Sequence, residues 1–538
     1  MSKRIITVCI LLLLGCLSGC GAAGYSESSK ELSKAINGPP ESIDPQVVSS
    51  IIDAEVVTYY MGTLFTYNEH RELVPGLAES YDLSEDACTY TFHLREGLKW
   101  SNGTPLTADD FVYGFQRLAD PMTGSNSVYF ITDCSSVKNA ADINYGKLPV
   151  SELGVSAPDN RTFVVELDTP CPYFTALTSQ VCLAPVNRAF CISCGDTFAT
   201  SAETVLCCGP YILDRYEPLG TQIHMVKNPY YYNADSIRIE GLNLQVIANV
   251  QQGMMCYQAG TLDIVSVSGE LAELAADDRN MLSFSTAGLF YIDMDHRTNE
   301  NLKNLNIRMA MAKSIDRESI VKNVLHAGYA PISRIIPADF YRDSDGEDFA
   351  GDKGQYDEYL GYDPQKAREY WNKGLSELGV SSISLDLMYI STQQNMVEAM
   401  ADQLEKNLPG LEIVLKPTTP KIWGSARTKG GYDLLFMGWI ADYADPTGFY
   451  MLFVSSAGAL TYDNPDFDKL YRAAGKETDS AKRDELLHEM EDLLCKDVAA
   501  VPIFCQSEAY LVSDKVKGFM IYPTGGIVVT TGMTKEVK

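Results

Sequence analysis

Two runs decide how this chain is read: Leu73-Val-Pro-Gly-Leu-Ala-Glu-Ser-Tyr-Asp82, and Tyr90-Thr-Phe-His-Leu-Arg-Glu-Gly-Leu-Lys-Trp-Ser-Asn-Gly-Thr-Pro-Leu-Thr-Ala-Asp-Asp-Phe-Val-Tyr-Gly114. Tyr90, Phe92 and Leu94 alternate with polar residues, the period-two pattern of a half-buried strand. Asn102-Gly103 and Pro105 punctuate a turn. Thr107, with Asp110 three residues on, forms a capping box and opens a helix whose inner face is Phe111, Val112, Phe115 and Leu118. The stretch is a strand–turn–helix scaffold without an evident ligand residue of its own.

Outward from this stretch the same mixture continues. Strand-like alternation occupies Thr162–Leu167 and Ser384–Ile390. A helix is predicted from Pro364 to Leu378, with Asp363 as cap, Pro364 at the first position and Gly379 as terminator. Helical spacing recurs through Met396, Val397, Met400 and Leu404, and through Leu486, Leu487, Met490, Leu493 and Leu494. Interspersed strands and helices indicate an α/β or mixed α+β architecture, with the domain order left open by pattern alone. No internal repeat or low-complexity block interrupts the chain.

The N-terminus reads as an address. Lys3 and Arg4 precede an apolar run from Ile5 to Leu14, shorter than the roughly 20 residues of a membrane span. It ends in Leu17-Ser18-Gly19-Cys20, which looks like a bacterial lipobox, so Cys20 is expected to carry a lipid after removal of residues 1–19. A polar tether over 20–30 would then link a monomeric globular chain to the membrane surface. The 538 residues suffice for about three domains. A formal charge of -28 excludes a nucleic-acid partner, because phosphate binding needs a basic surface.

Chemistry is sparse. There is no Gly-x-Ser-x-Gly elbow, no His-Glu-x-x-His and no phosphate-cradling Gly-x-x-x-x-Gly-Lys-Ser/Thr loop, and the six histidines lack ligand-like spacing. The carboxylate pairs Glu85-Asp86 and Asp109-Asp110 sit in a turn and at a helix start. Neither an enzyme nor a cofactor site is expected. Beyond Cys9, Cys16 and Cys20 of the leader, cysteines cluster at Cys182, Cys191, Cys194, Cys207 and Cys208. No histidine lies near and the spacing matches no standard zinc finger, so no metal is expected. The cluster reads as buried thiols acting as small apolar side chains, with room for one local disulfide.

The opening stretch closely resembles the signature of the peptide-binding subunits of ABC importers, extracytoplasmic solute-binding family 5. Further elements of that resemblance follow in order. They are Ser42-Ile-Asp-Pro45, Cys208-Gly-Pro-Tyr-Ile-Leu213, Lys227-Asn-Pro-Tyr-Tyr-Tyr232, Asn306-Ile-Arg-Met-Ala310, Ser314-Ile-Asp-Arg317, Gly438-Trp-Ile-Ala-Asp-Tyr-Ala-Asp-Pro446 and Val501-Pro-Ile-Phe504. The resemblance implies a two-lobed, periplasmic-binding-protein-like fold with an extra subdomain. The first lobe would combine 31–61, 188–287 and 496–538, the extra subdomain 62–187, and the second lobe 288–495.

It also implies a role: a lipid-anchored receptor on the bacterial cell membrane that captures extracellular oligopeptides and delivers them to ABC permease subunits. Relatives in this family carry dipeptides, nickel chelates, haem or oligosaccharides instead, and others sense peptide signals. In oligopeptide-binding members the aspartate of the Gly-Trp motif, here Asp442, pairs with the peptide α-ammonium. A peptide of unspecified sequence offers only its termini and backbone as constant features. Strand-like segments would read that backbone, here Ser49, Ser50 and Ile51 in one lobe and Gly438, Trp439 and Ile440 in the other. Tyr129, Tyr291, Phe504 and Gln506 fall where relatives place cleft-lining residues. Asp445, before Pro446, reads as turn structure. One departure stands out: where some members place an arginine for the peptide carboxylate, three residues before the motif tryptophan, this chain has Phe436. Peptide length is therefore left open.

Overall fold

The computed structural model describes residues 30–325, 329–352, 354–455, 462–524 and 527–537. The leader, the Cys20 lipidation site and most of the tether lie outside the described residues. The strands that frame the site are, in chain order, β1 (Glu31–Ile36), β2 (Ala78–Leu83), β3 (Thr89–Leu94), β4 (Val155–Asp159), β5 (Thr162–Glu166), β6 (Tyr211–Arg215), β7 (Gln222–Lys227) and β8 (Gly241–Val246). They continue with β9 (Ile264–Val267), β10 (Met281–Met294), β11 (Tyr329–Pro331), β12 (Ile383–Ile390), β13 (Leu411–Thr418), β14 (Leu434–Ile440) and β15 (Ala500–Val512).

The opening motif builds a small antiparallel sheet of order β2-β3-β5-β4. Phe92 pairs with Phe163 across it, and their rings stack at 6.3 Å. A helix over Ala108–Ala119 lays Phe111 and Phe115 on the same ring, at 5.5 and 5.2 Å. All four phenylalanines are fully buried, each contributing about 1.5–3 kcal/mol. At the helix start the Thr107 N–H donates to the Asp110 carboxylate at 2.9 Å, as the capping box requires, and the Trp100 indole donates to it at 3.2 Å. Burial nevertheless pushes the Asp110 carboxyl up to about 6. The Pro364–Leu378 helix also forms as spelled, with the Asp363 side chain accepting from the Lys366 N–H and Gly379 left-handed at φ 70°.

An 11-stranded sheet runs through the molecule in the order β13-β12-β14-β10-β15-β9-β1-β8-β7-β6, with β11 on a branch from β15. Its buried side chains fall into separate cores. Residues from Ala287 to Cys505 fill two of them, on opposite faces of the β10–β14 end. The remaining cores take chain from before Phe284 and from Ala509 onward, together with Tyr443. Among the described residues only β10 and β15 run through both halves, side by side. There the register breaks: Ser285 pairs with Ser507, but the next pair is Leu289 with Cys505, so β10 carries extra residues in a bulge. The Thr286 hydroxyl donates to the Gln506 carbonyl inside it. A bulged pair of strands joining two cores is the geometry of a hinge. The segment 496–505 packs in the cores of the second half, so the core boundary lies about ten residues beyond the expected one at 495.

The eleven cysteines among the described residues are free thiols. Cys182, Cys207 and Cys208 are buried in the first-half core, while on the helix Arg188–Cys194 Cys191 is buried and Cys194 half-buried.

Candidate functional site

β14 brings the Gly-Trp motif to the boundary between the two halves. Its inner edge pairs with β10 throughout, whereas β12 reaches only Leu434 and Leu435 on the other side. The Ala441 N–H donates to the Ala287 carbonyl, which fixes the parity of the ladder. In an antiparallel pair, residues alternate between bonding the partner and facing away. Gly438 and Ile440 therefore turn their backbone N–H and C=O groups away from β10. Phe436, of the same parity, shows this directly: its carbonyl accepts from the Trp423 indole at 3.0 Å. Among the described residues no strand covers the outer edge at Gly438–Ile440. Gly438 itself is enforced by packing, since a Cβ there would lie 2.6 Å from the Phe290 ring.

Beyond Ile440 the chain turns into a rigid loop. Asp445 accepts from the Thr447 N–H and hydroxyl and forms a two-pronged ion pair with Arg483, both contacts 2.8 Å and buried. The turn expected at Asp445 is thus also an anchor onto the helix Ser480–Lys496. Arg483 lies over the Tyr173 ring at 5.8 Å, and Tyr173 stacks on Tyr443 at 4.9 Å. Tyr173 belongs to the first half, so this stack joins the halves next to Asp442. The Gln180 side-chain amide donates to the Asp442 carbonyl at 2.9 Å, a second tie across the boundary.

Held in this way, Asp442 lines a cavity of about 250 Å³. One wall is Ser49, Ser50 and Ile51; another is Tyr129; the third is Ile440 and Asp442 itself. Burial raises the Asp442 carboxyl above the ordinary carboxylate range, while a hydrogen bond from the Tyr129 hydroxyl and the charge of Arg427 pull it back. Arg427 stacks over the Trp439 ring at 4.6 Å and makes no contact pair with Asp442. The cavity therefore presents a partly desolvated carboxylate on which, among the described residues, the one hydrogen-bond donor acting is a neutral phenol. Such a group is suited to an incoming cation. Burial and the same carboxylate also push the Cys134 thiol beside it up to about 12.

The remaining expected residues are placed differently. Trp439 is half-buried, its indole donating to the Gly448 carbonyl at 2.8 Å, and supports the loop from behind. Tyr291 and Phe504 do not reach the cavity: they are 2% and 1% exposed within the second-half cores. Around these two residues the strands are covered on both faces, so neither parity opens onto solvent there. Phe436 is fully buried between Phe290 and Phe504, so its departure from arginine alters a core, not the cavity wall. Ser49–Ile51 is not a strand. Ser50 caps the helix Ile51–Tyr60, and the N–H groups of Ser49 and Ser50 are bound by the Asp53 carboxylate at 3.2 and 3.3 Å. That segment cannot offer those donors to a peptide backbone. Gln506 faces a neighbouring cavity.

The model of the bacterial extracellular solute-binding proteins, family 5 (middle region), matches residues 72–461. This chain belongs to that family. It is 28% identical to the oligopeptide-binding protein OppA of Bacillus subtilis, over 98% of each chain. Among solved structures it resembles the unliganded open form of the periplasmic murein tripeptide-binding protein MppA, with a TM-score of 0.82, 26% identity, and coverage of 94% of this chain and 97% of that one. It also resembles Listeria monocytogenes OppA bound to peptide, with a TM-score of 0.68, 29% identity, and coverage of 94% and 99%. The family-5 fold is two-lobed, as the resemblance implied. Gln180 and Arg427 escaped the sequence reading: the first acts across 262 residues of chain, and the second is one helical residue among several basic ones.

Proposed function

We propose that this protein captures short peptides between its two halves and hands them to the membrane subunits of an ABC importer. The observation that carries this reading is the Asp442 carboxylate, held in an interlobe cavity at the end of a strand whose outer edge is open. The carboxylate takes the peptide α-ammonium, and the Gly438–Ile440 edge takes its backbone as an added strand. Both contacts ignore side-chain identity, which suits a carrier of varied peptides, with water filling the space around each side chain. The higher TM-score against an open, unliganded relative than against a peptide-bound one supports a receiving state. Closure about the β10–β15 bulge then secures the guest.

In the same reading the first lobe comprises 31–61, 188–287 and the C-terminal chain, with 62–187 as its subdomain, and the second lobe 288 to about 505. Cys20 carries the lipid that keeps a monomeric receptor at the cell membrane, and the protein performs no catalysis. Native mass spectrometry of protein purified without added ligand tests the capture. Co-purifying species should fragment as peptides with free amino ends. Only nickel chelates, haem, oligosaccharides or other non-peptide solutes would overturn it.

A further inference from the structure

Next to the Asp442 cavity lies a larger one, of about 390 Å³, within the range of small-ligand sites. Ile51 lines both cavities. They also meet at Gly288, where the Gln506 side chain of the second cavity and the Ile440 side chain of the first lie against one backbone position. A guest extended from Asp442 along the Ile440 edge therefore leads toward this space.

The wall of the second cavity has an uneven charge. Lys34 is buried there, and its ammonium is committed to Glu55 Oε1 at 2.6 Å, which also accepts from the Tyr59 hydroxyl at 2.6 Å. Glu508, on β15, lines the same cavity as Glu55 and Lys34, and it accepts from the Tyr510 hydroxyl. One lysine thus faces two glutamates. Among the described residues neither Glu55 Oε2 nor Glu508 Oε1 receives a hydrogen bond. A carboxylate guest, such as a peptide C-terminus, would meet net negative charge with its lysine already engaged. A cationic guest would complete the set.

We propose that this second cavity receives a lysine or arginine side chain of the bound peptide, held between Glu508 and Glu55, so that the receptor favours peptides with a basic residue beyond the first position. This rests on the peptide-capture reading above and deepens it. The test is titration calorimetry of the whole protein with alanine peptides carrying a single lysine, norleucine or glutamate at each position after the first. At one position lysine should bind at least about tenfold more tightly than norleucine, with glutamate weakest. Glu508→Gln should abolish that preference while leaving the all-alanine peptide within about twofold of the wild type.

Equal affinity for lysine and norleucine at every position would overturn the subsite and leave peptide capture standing. A lysine preference that survives in Glu508→Gln would overturn the role of Glu508. If no peptide binds at all, including the all-alanine one, the capture reading itself falls. The comparison of peptides on wild-type protein needs no variant to fold.

Discussion

Replacing Asp442 by Asn removes one negative charge while keeping the shape, and turns one acceptor oxygen into a donor amide. In the structure this carboxylate is half-buried; among the described residues the neutral Tyr129 hydroxyl is its one hydrogen-bond donor, and Arg427 acts on it without contact. Among the described residues no other carboxylate lines its cavity, so none of them replaces the lost charge when a peptide ammonium arrives. Truncating one partner of a desolvated charge pair costs about 2–5 kcal/mol, or about 30-fold to a few thousandfold in affinity. Titration calorimetry with a free-amine peptide and its N-acetyl derivative isolates the pair as a double-mutant cycle. Acetylation should weaken wild-type binding by this amount and leave Asp442→Asn almost indifferent. Equal losses on acetylation in both proteins would show that Asp442 does not read the amino end.

Further predictions concern the same machinery. Because burial raises the Asp442 carboxyl, its protonation should weaken peptide binding at a pH above that of an ordinary aspartate. Affinity is full where the group is ionised and falls as pH drops through the raised value; binding releases a proton in that window, seen as a dependence of binding enthalpy on buffer, and Asp442→Asn abolishes both effects. Gly438→Ala should destabilise the fold by about 1–3 kcal/mol, because the Phe290 ring that its Cβ meets is stacked on Phe504 at 4.7 Å and cannot swing freely; chemical denaturation measures it. Arg483→Met should cost about 3–5 kcal/mol by stranding the buried Asp445 carboxylate, and should loosen the Asp442 loop enough to lower affinity as well. Tyr129→Phe should raise the Asp442 carboxyl further by removing its contact donor, moving the acid limb of the binding profile to higher pH.

What the sequence disclosed was local. Tyr90, Phe92 and Leu94 announce their strand by alternation, and Asp110 and Asp363 announce their helices by capping, because each pattern is enforced within a few residues. Asp442 was legible through its motif, which keeps loop and strand together. What failed depended on partners far along the chain. Tyr291 and Phe504 lie on stretches of β10 and β15 that are covered on both sides, so alternation gives no cue there to which face meets a cavity. Ser50-x-x-Asp53 is itself a capping signature, and the resemblance-based expectation of a strand overrode it. The tie from Gln180 and the charge balance of Lys34, Glu55 and Glu508 arise only when distant segments converge.

The most direct test is a crystal structure of the protein with a defined short peptide. The account predicts the peptide nitrogen in hydrogen-bond contact with the Asp442 carboxylate and the peptide backbone paired to the outer edge of Gly438–Ile440. A bound peptide whose amino end lies elsewhere, with Asp442 still bonded only to Tyr129, would contradict it.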